Sequence, residues 1–523
     1  MNYASLFAEA ASRFPDRTAI IDGESALQYD ELDAQACRFA HAALGLGLSA
    51  QDRVAVVADN SERYVEALLG CLKADLVACL PNTRLSADEV ARILGMNPAE
   101  VIVYDKDHRE HALRGAQSCR KAGVEAILVP IDREEANGKD RGESPFREVS
   151  YDELVAGEPA SFDIVDCGDG DVAIQLFTSG TTGFPKSMPH THESLVMFDA
   201  MYGYAAKHGV PRDALPVHET FLCMLPIYHV SGITALYALA TGGTVVFQHG
   251  FDMRRFLGAI QDHRVTRTTV AQTVAAWIAQ CPFLDEYDLS SLIEIAYGGA
   301  PMPESIERAI TERLSCSLCQ AYGSTEVLIA TLLSGYDHVL DSPEKGARLA
   351  SVGRPMVGCD VKVVDDSGNR LSAGIEGEIC VKSPAAAKGM ERRWVRMGDM
   401  GHMDEEGFVY LTGRKNDLII SGGENIYPAE VEACIREIDG VADVAVVGVE
   451  HPKWGQTPFA FVVRDAEGVT ERSVVAHCER RIARYKRPSR VAFIDRLPKN
   501  ELGKLDRKKL LRMAHASCEA NPL

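Results

Sequence analysis

Two spacings of hydrophobic residues alternate along the first 340 residues. Short apolar runs predict buried strands, and stretches with an apolar residue every three or four positions predict helices. Helical spacing covers Glu31–Leu46 and the stretch after Ser61, a residue type that caps helices. The predicted strands are residues 53–58, 101–104, 126–129, 172–177, 221–225, 244–247, 293–297 and 317–321. This alternation predicts an α/β fold built from βαβ units, with a largely parallel sheet and helices on both faces.

The pattern changes after residue 345. Two runs with period-two alternation, 360–364 and 377–381, flank the turn residues 365–368 and predict a β-rich subdomain. The charged break at Gly413–Asp417 is the predicted domain boundary. Beyond it, a predicted helix over 428–438 and predicted strands over 444–448 and 459–463 indicate a small α+β domain. We therefore expect an N-terminal domain of residues 1–413, with two βαβ-type subdomains and the β-rich subdomain, and a C-terminal domain of residues 414–523.

Charge and composition exclude several classes of protein. The net charge of −20 argues against a nucleic-acid-binding protein, which usually carries a basic surface. The 14 cysteines are scattered, and the single Cys316–Cys319 pair lacks the second pair of a zinc finger, so reduced thiols are expected. No apolar run approaches the ~18 residues of a membrane span. These features predict a cytoplasmic protein without membrane insertion; whether it is a monomer or a homodimer stays open.

A glycine- and hydroxyl-rich segment directly follows the predicted strand at 172–177. Glycine lets the backbone bring N–H groups close to an anion, hydroxyls donate to phosphate oxygens, and a lysine adds charge. The lysine spacing differs from that of a Walker A loop. The alternative is an ordinary polar loop. As a candidate triphosphate loop, the segment comprises Thr178, Ser179, Gly180, Thr181, Thr182, Gly183, Phe184, Pro185 and Lys186.

Three further polar segments follow predicted strands, where ligands of open α/β sheets collect. Residues 226–232 contain Tyr228, His229 and Val230, although a lone histidine is more often structural. Gly298–Pro301 would let a flat base lie against the backbone, or it forms a tight turn. Residues 322–326 offer an aromatic ring, two hydroxyls and a carboxylate suited to Mg²⁺ and phosphate, or a buried tyrosine beside an exposed turn.

Two charged residues in the last third of the chain also suit a ligand that carries a base and phosphates. Asp399 follows a glycine at a predicted strand end, where a carboxylate can accept both hydroxyls of a ribose. Lys504 lies on a glycine-bearing loop near the C-terminus and could reach outward; on its own it would be an ordinary solvated lysine.

Together these segments resemble the adenylate-forming superfamily, which includes acyl-CoA synthetases, adenylation domains of peptide synthetases and luciferases. The resemblance covers almost the whole chain, with the segments in the same order and spacing. Ser421–Pro428 and Trp454–Gln456 are most similar to stand-alone acyl-CoA synthetases. The resemblance implies that a carboxylate attacks the α-phosphate of ATP, giving acyl-AMP and pyrophosphate, and that the thiol of CoA then takes the acyl group. It also implies that the C-terminal domain is mobile and rotates between the two steps.

The resemblance also implies a role for each site residue. The substrates would be a small carboxylic acid, ATP and CoA, with Mg²⁺ on Glu326. Catalytic roles fall to Lys504, Thr325, Glu326 and His229. Nucleotide-binding roles fall to Thr178, Ser179, Gly180, Thr181, Thr182, Gly183, Lys186, Gly298, Gly299, Ala300, Pro301, Tyr322, Gly323, Ser324, Asp399 and Arg414. The hinge is Asn416, and the CoA tunnel takes Ser421, Gly422 and Gly423. The acyl pocket takes Tyr228, Val230, Gln272, Trp277 and Tyr297.

The chain departs from the usual pattern of this superfamily at several positions. Asn416 replaces the charged hinge residue, Ser187 replaces a glycine, and the segment 384–394 is about a dozen residues shorter than usual. These departures leave three alternatives: an acyl-CoA synthetase, a ligase that passes the acyl group to an amine or a carrier-protein thiol, and a nucleotide-binding regulator without catalysis. The acyl pocket contains no evident cation, which favours a neutral, largely apolar acid over a dicarboxylate.

Overall fold

A computed structural model describes the chain at residues 1–132, 144–178, 186–210, 218–298, 302, 304–314, 316–338, 343–421, 424–451, 454–465, 468–499 and 505–520. The chain divides into two compact units. The first unit comprises Met1–Asp360 and Val381–Val395, and the second comprises Val361–Cys380 and Arg396–Leu523. The predicted domain boundary between residues 413 and 414 lies inside the second unit and stays a prediction.

The first unit contains a six-stranded sheet whose apolar strands are parallel except at one edge. Its strands are β3 (Arg53–Val57), β4 (Val77–Cys79), β5 (Val101–Tyr104), β6 (Ile127–Pro130), β7 (Val172–Thr178) and β8 (Lys186–Thr191). They lie in the order β6-β5-β3-β4-β7-β8, and only the β7–β8 pair is antiparallel. The sheet puts the strand that precedes the candidate phosphate loop beside the strand that follows it.

A nine-stranded sheet forms the rest of the first unit's β-structure. Its strands are β1 (Thr18–Asp22), β2 (Ser25–Gln28), β9 (Thr220–Cys223), β10 (Thr244–Phe247), β11 (Arg267–Ala271), β12 (Glu294–Gly298), β13 (Ser317–Ser324), β14 (Leu328–Leu333) and β15 (Arg354–Pro355). Their order is β15-β14-β13-β12-β11-β9-β10-β1-β2. The run from β1 to β13 in this order is parallel, and β2, β14 and β15 add antiparallel edges.

Helices connect the strands of both sheets, as the alternating pattern predicts. They are α1 (Ala4–Arg13), α2 (Tyr29–Gly45), α3 (Glu62–Lys73), α4 (Ala87–Met96), α5 (Arg109–Lys121), α6 (Tyr151–Val155), α7 (His192–His208), α8 (Val230–Ala240), α9 (Met253–Asp262), α10 (Gln272–Ala279), α11 (Glu304–Arg313) and α12 (Pro343–Arg348). Ser61 caps α3 by accepting a hydrogen bond from the Tyr64 N–H at 3.1 Å, which confirms its predicted role. Within the described residues, no helix is both long and apolar enough to span a bilayer.

The second unit combines two sheets with helices, and the second sheet is mixed because β24 pairs with β23 in parallel. One sheet has the order β16 (Asp360–Val364), β17 (Gly377–Lys382), β18 (Val395–Met403) and β19 (Val409–Arg414). The other contains β20 (Ile419–Ser421), β21 (Glu424–Ile426), β22 (Val441–His451), β23 (Gly455–Arg464) and β24 (Arg490–Phe493), with helices α13 (Pro428–Arg436), α14 (Glu471–Arg481) and α15 (Arg507–Ala520). This matches the predicted β-rich segment followed by an α+β segment.

A buried carboxyl group on α7 makes the stability of the first unit depend on pH. Asp199 is 7% exposed, and one of its oxygens accepts a hydrogen bond from the Tyr3 hydroxyl at 2.7 Å. The other oxygen has no hydrogen-bond partner among the described residues. Burial raises the pKa of Asp199 to about 7, because a carboxylate loses its hydration there. The folded protein therefore holds a proton on Asp199 that the unfolded chain releases near its ordinary pKa of 3.8.

We expect Asp199→Asn to remove this pH dependence. The unfolded chain loses the Asp199 proton at lower pH than the folded chain, so its contribution to the free energy of unfolding falls between about pH 4 and pH 7. The uncharged amide keeps an acceptor for Tyr3 and should be more stable than wild type above pH 7, by about 2–4 kcal/mol. Urea denaturation at pH 5 and pH 8 measures the difference. The exposed Asp16→Asn is the control, and an equal difference at both pH values would contradict the prediction.

Candidate nucleotide-binding site

The candidate phosphate loop is closed by a strand pair at its base. Thr178 ends β7, Lys186 begins β8, and the two residues pair across the antiparallel ladder. Lys186 is exposed, so its ammonium group is accessible to an anionic ligand. The predicted contacts of Ser179, Gly180, Thr181, Thr182, Gly183 and the two following residues lie outside the described residues. The base of the loop therefore agrees with the predicted strand–loop arrangement, and the phosphate contacts stay predictions.

The carboxyl ends of β12 and β13 lie side by side, where a nucleotide base is predicted to bind. Gly298 pairs with Ala321, and a side chain at Gly298 would begin only 2.6 Å from the Ala321 carbonyl oxygen. Glycine is needed there because the two backbones approach so closely. Gly299, Ala300 and Pro301 lie outside the described residues. Tyr322 is buried at 9% exposure, and its predicted stacking on adenine stays a prediction.

The strand predicted for residues 317–321 continues through the segment 322–324. Pairing with the antiparallel β14 extends β13 through Ser324, so only Thr325–Val327 form the turn. A side chain at Gly323 would begin 1.8 Å from the Leu328 carbonyl oxygen, so only glycine fits. Leu328 adopts φ 56, a left-handed conformation that is costly for a branched side chain and is often found at functional sites. The turn that carries Thr325 and Glu326 is therefore tightly constrained.

The residues of this turn fit a magnesium ion bound mainly by a ligand's phosphates. Ser324, Thr325 and Glu326 are all half-buried, so their polar groups reach the surface of the fold. Among the described residues, no three His, Cys, Asp or Glu side chains converge as a metal cage. One carboxylate with phosphate oxygens and water is the ligand set that Mg²⁺ typically takes in nucleotide-binding proteins. The donor set therefore suits Mg²⁺ that arrives with a triphosphate.

One hydrogen bond joins this turn directly to β8, the strand that follows the candidate phosphate loop, and two more join them through Ala387 and Lys388. The ring nitrogen Nε2 of His190, on β8, lies 2.8 Å from the Thr325 carbonyl oxygen. The Ala387 N–H donates to the Glu326 carbonyl at 2.8 Å, and the Lys388 N–H donates to the Pro189 carbonyl at 2.7 Å. His190 was not identified from the sequence, because its partner is 135 residues away along the chain.

A polar cluster holds the segment that contains His229, a predicted catalytic residue. The Asn60 side chain donates to the Leu225 carbonyl and accepts from the Ile227 N–H, both at 3.0 Å. The Thr83 and Tyr228 hydroxyls lie 3.3 Å apart. His229 precedes α8 and packs edge-on against the Tyr228 ring at 4.8 Å. Asn60 was also missed, although its position shortly after the end of β3 at Val57 is a signal that could have identified it.

The predicted acyl-pocket residues have different surroundings. Tyr228 is buried at 3%, whereas Trp277 on α10 is 53% exposed and packs against Phe251 at 5.2 Å. Val230 begins α8 and Gln272 begins α10, and both are half-buried. The pocket assignment therefore stays a prediction, because the described contacts do not join these side chains.

Tyr297 is fully buried and belongs to a hydrogen-bond chain that the sequence did not reveal. Its hydroxyl lies 2.5 Å from a Glu307 oxygen and 3.0 Å from the His338 ring nitrogen Nε2. The other ring nitrogen of His338 lies 2.8 Å from the Ser334 carbonyl, and burial lowers the His338 pKa to about 4. This chain fixes the orientation of the tyrosine at the end of β12.

In the second unit, the two predicted ribose-site residues face each other across a strand pair. Asp399 on β18 pairs in register with Arg414 on β19. The Arg414 Nε lies 2.9 Å from an Asp399 oxygen, with the aspartate side chain 8% exposed and the arginine 62% exposed. The carboxylate keeps acceptor capacity for ribose hydroxyls, since each of its oxygens can accept two hydrogen bonds.

The predicted hinge residue lies in a short turn, and the residue after it, Asp417, forms an ion pair with Arg507. Asn416 is the middle residue of the 3₁₀ turn Lys415–Asp417. The Arg507 side chain lies 3.0 Å from both Asp417 and Glu432 and donates to the Val446 carbonyl at 2.6 Å. Ser421 ends β20 and is buried, whereas Gly422, Gly423 and Lys504 lie outside the described residues. Arg507, three residues after Lys504, was not identified from the sequence.

Comparisons with known proteins agree with these features. Residues 7–390 match the family described as AMP-binding enzyme, and residues 430–504 match the AMP-binding enzyme C-terminal domain. The chain is 32% identical over 529 residues to a 2-succinylbenzoate–CoA ligase of Bacillus licheniformis, covering 98% of this chain and 100% of the relative.

Two solved structures with similar folds add detail. The o-succinylbenzoate CoA synthetase MenE of Bacillus subtilis, in complex with the acyl-adenylate OSB-AMP, has a TM-score of 0.80 and 28% identity, covering 97% of each chain. The amide bond synthetase McbA of Marinactinospora thermotolerans has a TM-score of 0.82 and 26% identity, covering 98% of this chain and 99% of that one.

Proposed function

Since the chain belongs to the AMP-binding enzyme family, within the adenylate-forming superfamily of acyl-CoA synthetases, we propose that it is an ATP-dependent acid–thiol ligase. In the first step a carboxylic acid and ATP give acyl-AMP and pyrophosphate. In the second step CoA takes the acyl group and AMP leaves. The proposed substrates are small molecules, and the proposed location is the cytoplasm.

One observation carries this proposal more than any other. The strand that leaves the candidate phosphate loop is hydrogen-bonded, through His190, to the turn that holds Thr325 and Glu326. Two segments suited to a magnesium–triphosphate group therefore belong to one connected framework, although 135 residues separate the bonded pair in the sequence. An ordinary polar loop would not require this link to a second polar turn.

The chemistry of the first step needs positioning and charge stabilisation rather than a covalent nucleophile. Thr178, Lys186 and the hydroxyls between them would hold the β- and γ-phosphates, and Asp399 would hold the ribose. Lys504 would bridge the substrate carboxylate and the α-phosphate, where negative charge develops. Glu326 would hold Mg²⁺, which supplies charge neutralisation for the departing pyrophosphate when bound.

The second step would depend on the C-terminal domain. Rotation about Asn416 would withdraw Lys504 and bring the hairpin of Ser421, Gly422 and Gly423 to the pantetheine arm of CoA. Two glycines suit a narrow tunnel, because side chains there would obstruct the thiol's path. His229, beside Tyr228, would open or close access to the acyl-AMP carbonyl.

A second candidate function keeps the acyl-AMP and changes the acceptor. The similarity to an amide bond synthetase over 98% of the chain, together with the uncharged Asn416, favours an amine as the alternative acceptor. A carrier-protein thiol is a further variant of the same alternative.

We expect a pyrophosphate-release screen over carboxylic acids to identify the substrate. The panel includes neutral aliphatic, aryl and cyclic monocarboxylates as well as malonate and succinylated aryl acids. Neutral, largely apolar acids should give the fastest release, because the predicted pocket contains no evident cation. Each active acid is then tested with CoA and with amines, and the products are identified by mass spectrometry. Amide without acyl-CoA would select the alternative, and no release with any acid would reject the ligase.

A further inference from the structure

We propose that His190 is a positioning residue that sets the phosphate-loop strand against the Thr325–Glu326 turn, so that phosphate oxygens and the Glu326 carboxylate can share one Mg²⁺. This inference rests on the proposed function, because it gives His190 a task within that nucleotide site. His190 does not itself touch the ligand; it acts through Thr325.

Hydrogen bonds connect three segments of the chain in a ring. His190 joins β8 to the turn, the 385–388 segment joins the same turn through Glu326, and that segment returns to β8 through Pro189. Each link is between 2.7 and 2.8 Å. Of the three links, the histidine supplies the one made by a side chain. Within the described residues, its removal would leave the hydrogen bonds of Ala387 and Lys388 to link β8 with the turn indirectly.

The protonation state of His190 follows from its partner. A carbonyl oxygen can only accept, so Nε2 must carry the proton. The ring is 0% exposed, and burial lowers the His190 pKa to about 4. The link is therefore a neutral hydrogen bond that does not change between about pH 5 and pH 9. A histidine that served as a general base would instead titrate near neutral pH.

The chain offers a matched control two residues further on. His192 is also buried, at 1% exposure, and burial lowers its pKa to about 4 as well. Its ring nitrogen Nδ1 accepts the Tyr3 N–H at 3.0 Å, and Nε2 lies 3.5 Å from Asp75. Neither partner belongs to the candidate nucleotide site. Replacement of either histidine removes a buried imidazole, but only His190 bonds the turn that carries Glu326.

The experiment measures ATP binding by calorimetry, with MgCl₂ and with EDTA. The proteins are wild type, His190→Ala, His190→Gln, His190→Asn and His192→Ala. Gln places an N–H near the position of the lost Nε2, whereas Asn is polar but shorter. We expect His190→Ala and His190→Asn to lose about tenfold of the Mg²⁺-dependent gain in affinity, the equivalent of one buried hydrogen bond. His190→Gln should recover most of it, and His192→Ala should bind as wild type does.

Two results would overturn the proposal: an equal loss in the His192 and His190 variants, or no difference between the Gln and Asn variants. Thermal unfolding of each protein accompanies the binding data, and the Gln–Asn comparison suffices if His190→Ala does not fold. The acid-dependent pyrophosphate assay should show a fall in kcat/KM of about 100-fold for His190→Ala, as expected for misplaced groups. Because binding is measured without acid, it tests the role of His190 even if no acid in the screen is turned over.

Discussion

Replacement of Lys504 by alanine is expected to slow acid-dependent pyrophosphate release by about 100- to 1000-fold, the loss typical for one preorganised cationic or hydrogen-bonding group. Lys504 would neutralise the negative charge that develops as the carboxylate oxygen attacks the α-phosphate. No other residue is proposed for this role. Its loss should lower kcat more than it raises KM for ATP, because the interaction forms mainly in the transition state. Stopped assays of pyrophosphate with the preferred acid measure both parameters.

Lys499→Ala is the matched control for this variant. Lys499 is exposed and pairs with Leu505 at the base of the same loop, so it tests loss of a lysine without loss of the proposed contact. A second measurement supplies synthetic acyl-AMP and CoA, a step that does not need Lys504; this rate should stay within about threefold of wild type. An unchanged rate of adenylation in Lys504→Ala would remove Lys504 from the mechanism.

Replacement of Arg267 by methionine is expected to destabilise the first unit by about 3–5 kcal/mol, because it leaves buried charges without a partner. Arg267 is 3% exposed at the start of β11 and lies 3.0 Å from Glu294 and 3.6 Å from Glu219. It also donates to the Ala206 carbonyl at 2.6 Å. Burial raises the pKa of both glutamates, and the arginine opposes that rise. Without it, folding must protonate the carboxyl groups, so the variant should lose more stability at pH 8 than at pH 5.

Urea denaturation of Arg267→Met is compared with that of Arg264→Met. Arg264 forms an exposed pair with Asp288 at 3.0 Å, and its loss should cost less than about 1 kcal/mol. Combining Arg267→Met with Glu219→Gln and Glu294→Gln should restore part of the loss, because the uncompensated carboxylates are then absent. A similar effect for both arginine variants would show that the buried pair contributes no more than a surface pair.

Apolar periodicity identified many elements of this fold, and its failures have physical causes. The uninterrupted runs 101–104, 244–247 and 360–364 are strands with the predicted bounds. The strands β8 and β11 were missed, because β8 contains a proline and a histidine and β11 begins with Arg-Thr-Thr. In both strands a polar side chain bonds a distant carbonyl: His190 bonds that of Thr325, and Arg267 bonds that of Ala206. The end of β13 was misplaced because its last residues are held by β14 rather than by their own sequence.

The candidate site shows the same limit. Its contiguous motifs, such as Thr178–Lys186 and Tyr322–Glu326, could be identified because hydroxyls, glycines and charges lie within a few residues. His190 and Arg507 could not, since each bonds backbone or side chains far away in sequence. Local spacing predicts what a ligand could touch, whereas the parts that hold those groups in place are determined by tertiary contacts.

The anchoring of Arg507 has a mechanical consequence. The guanidinium group ties Asp417, directly after Asn416, to α13 and β22 just after the loop that carries Lys504. In the proposed rotation about Asn416, these contacts would make the base of that loop move together with the hinge. Loss of the Arg507 contacts would let Lys504 move out of step with the proposed rotation of its domain, which would disturb the proposed order of the two half-reactions even if every reacting group were intact.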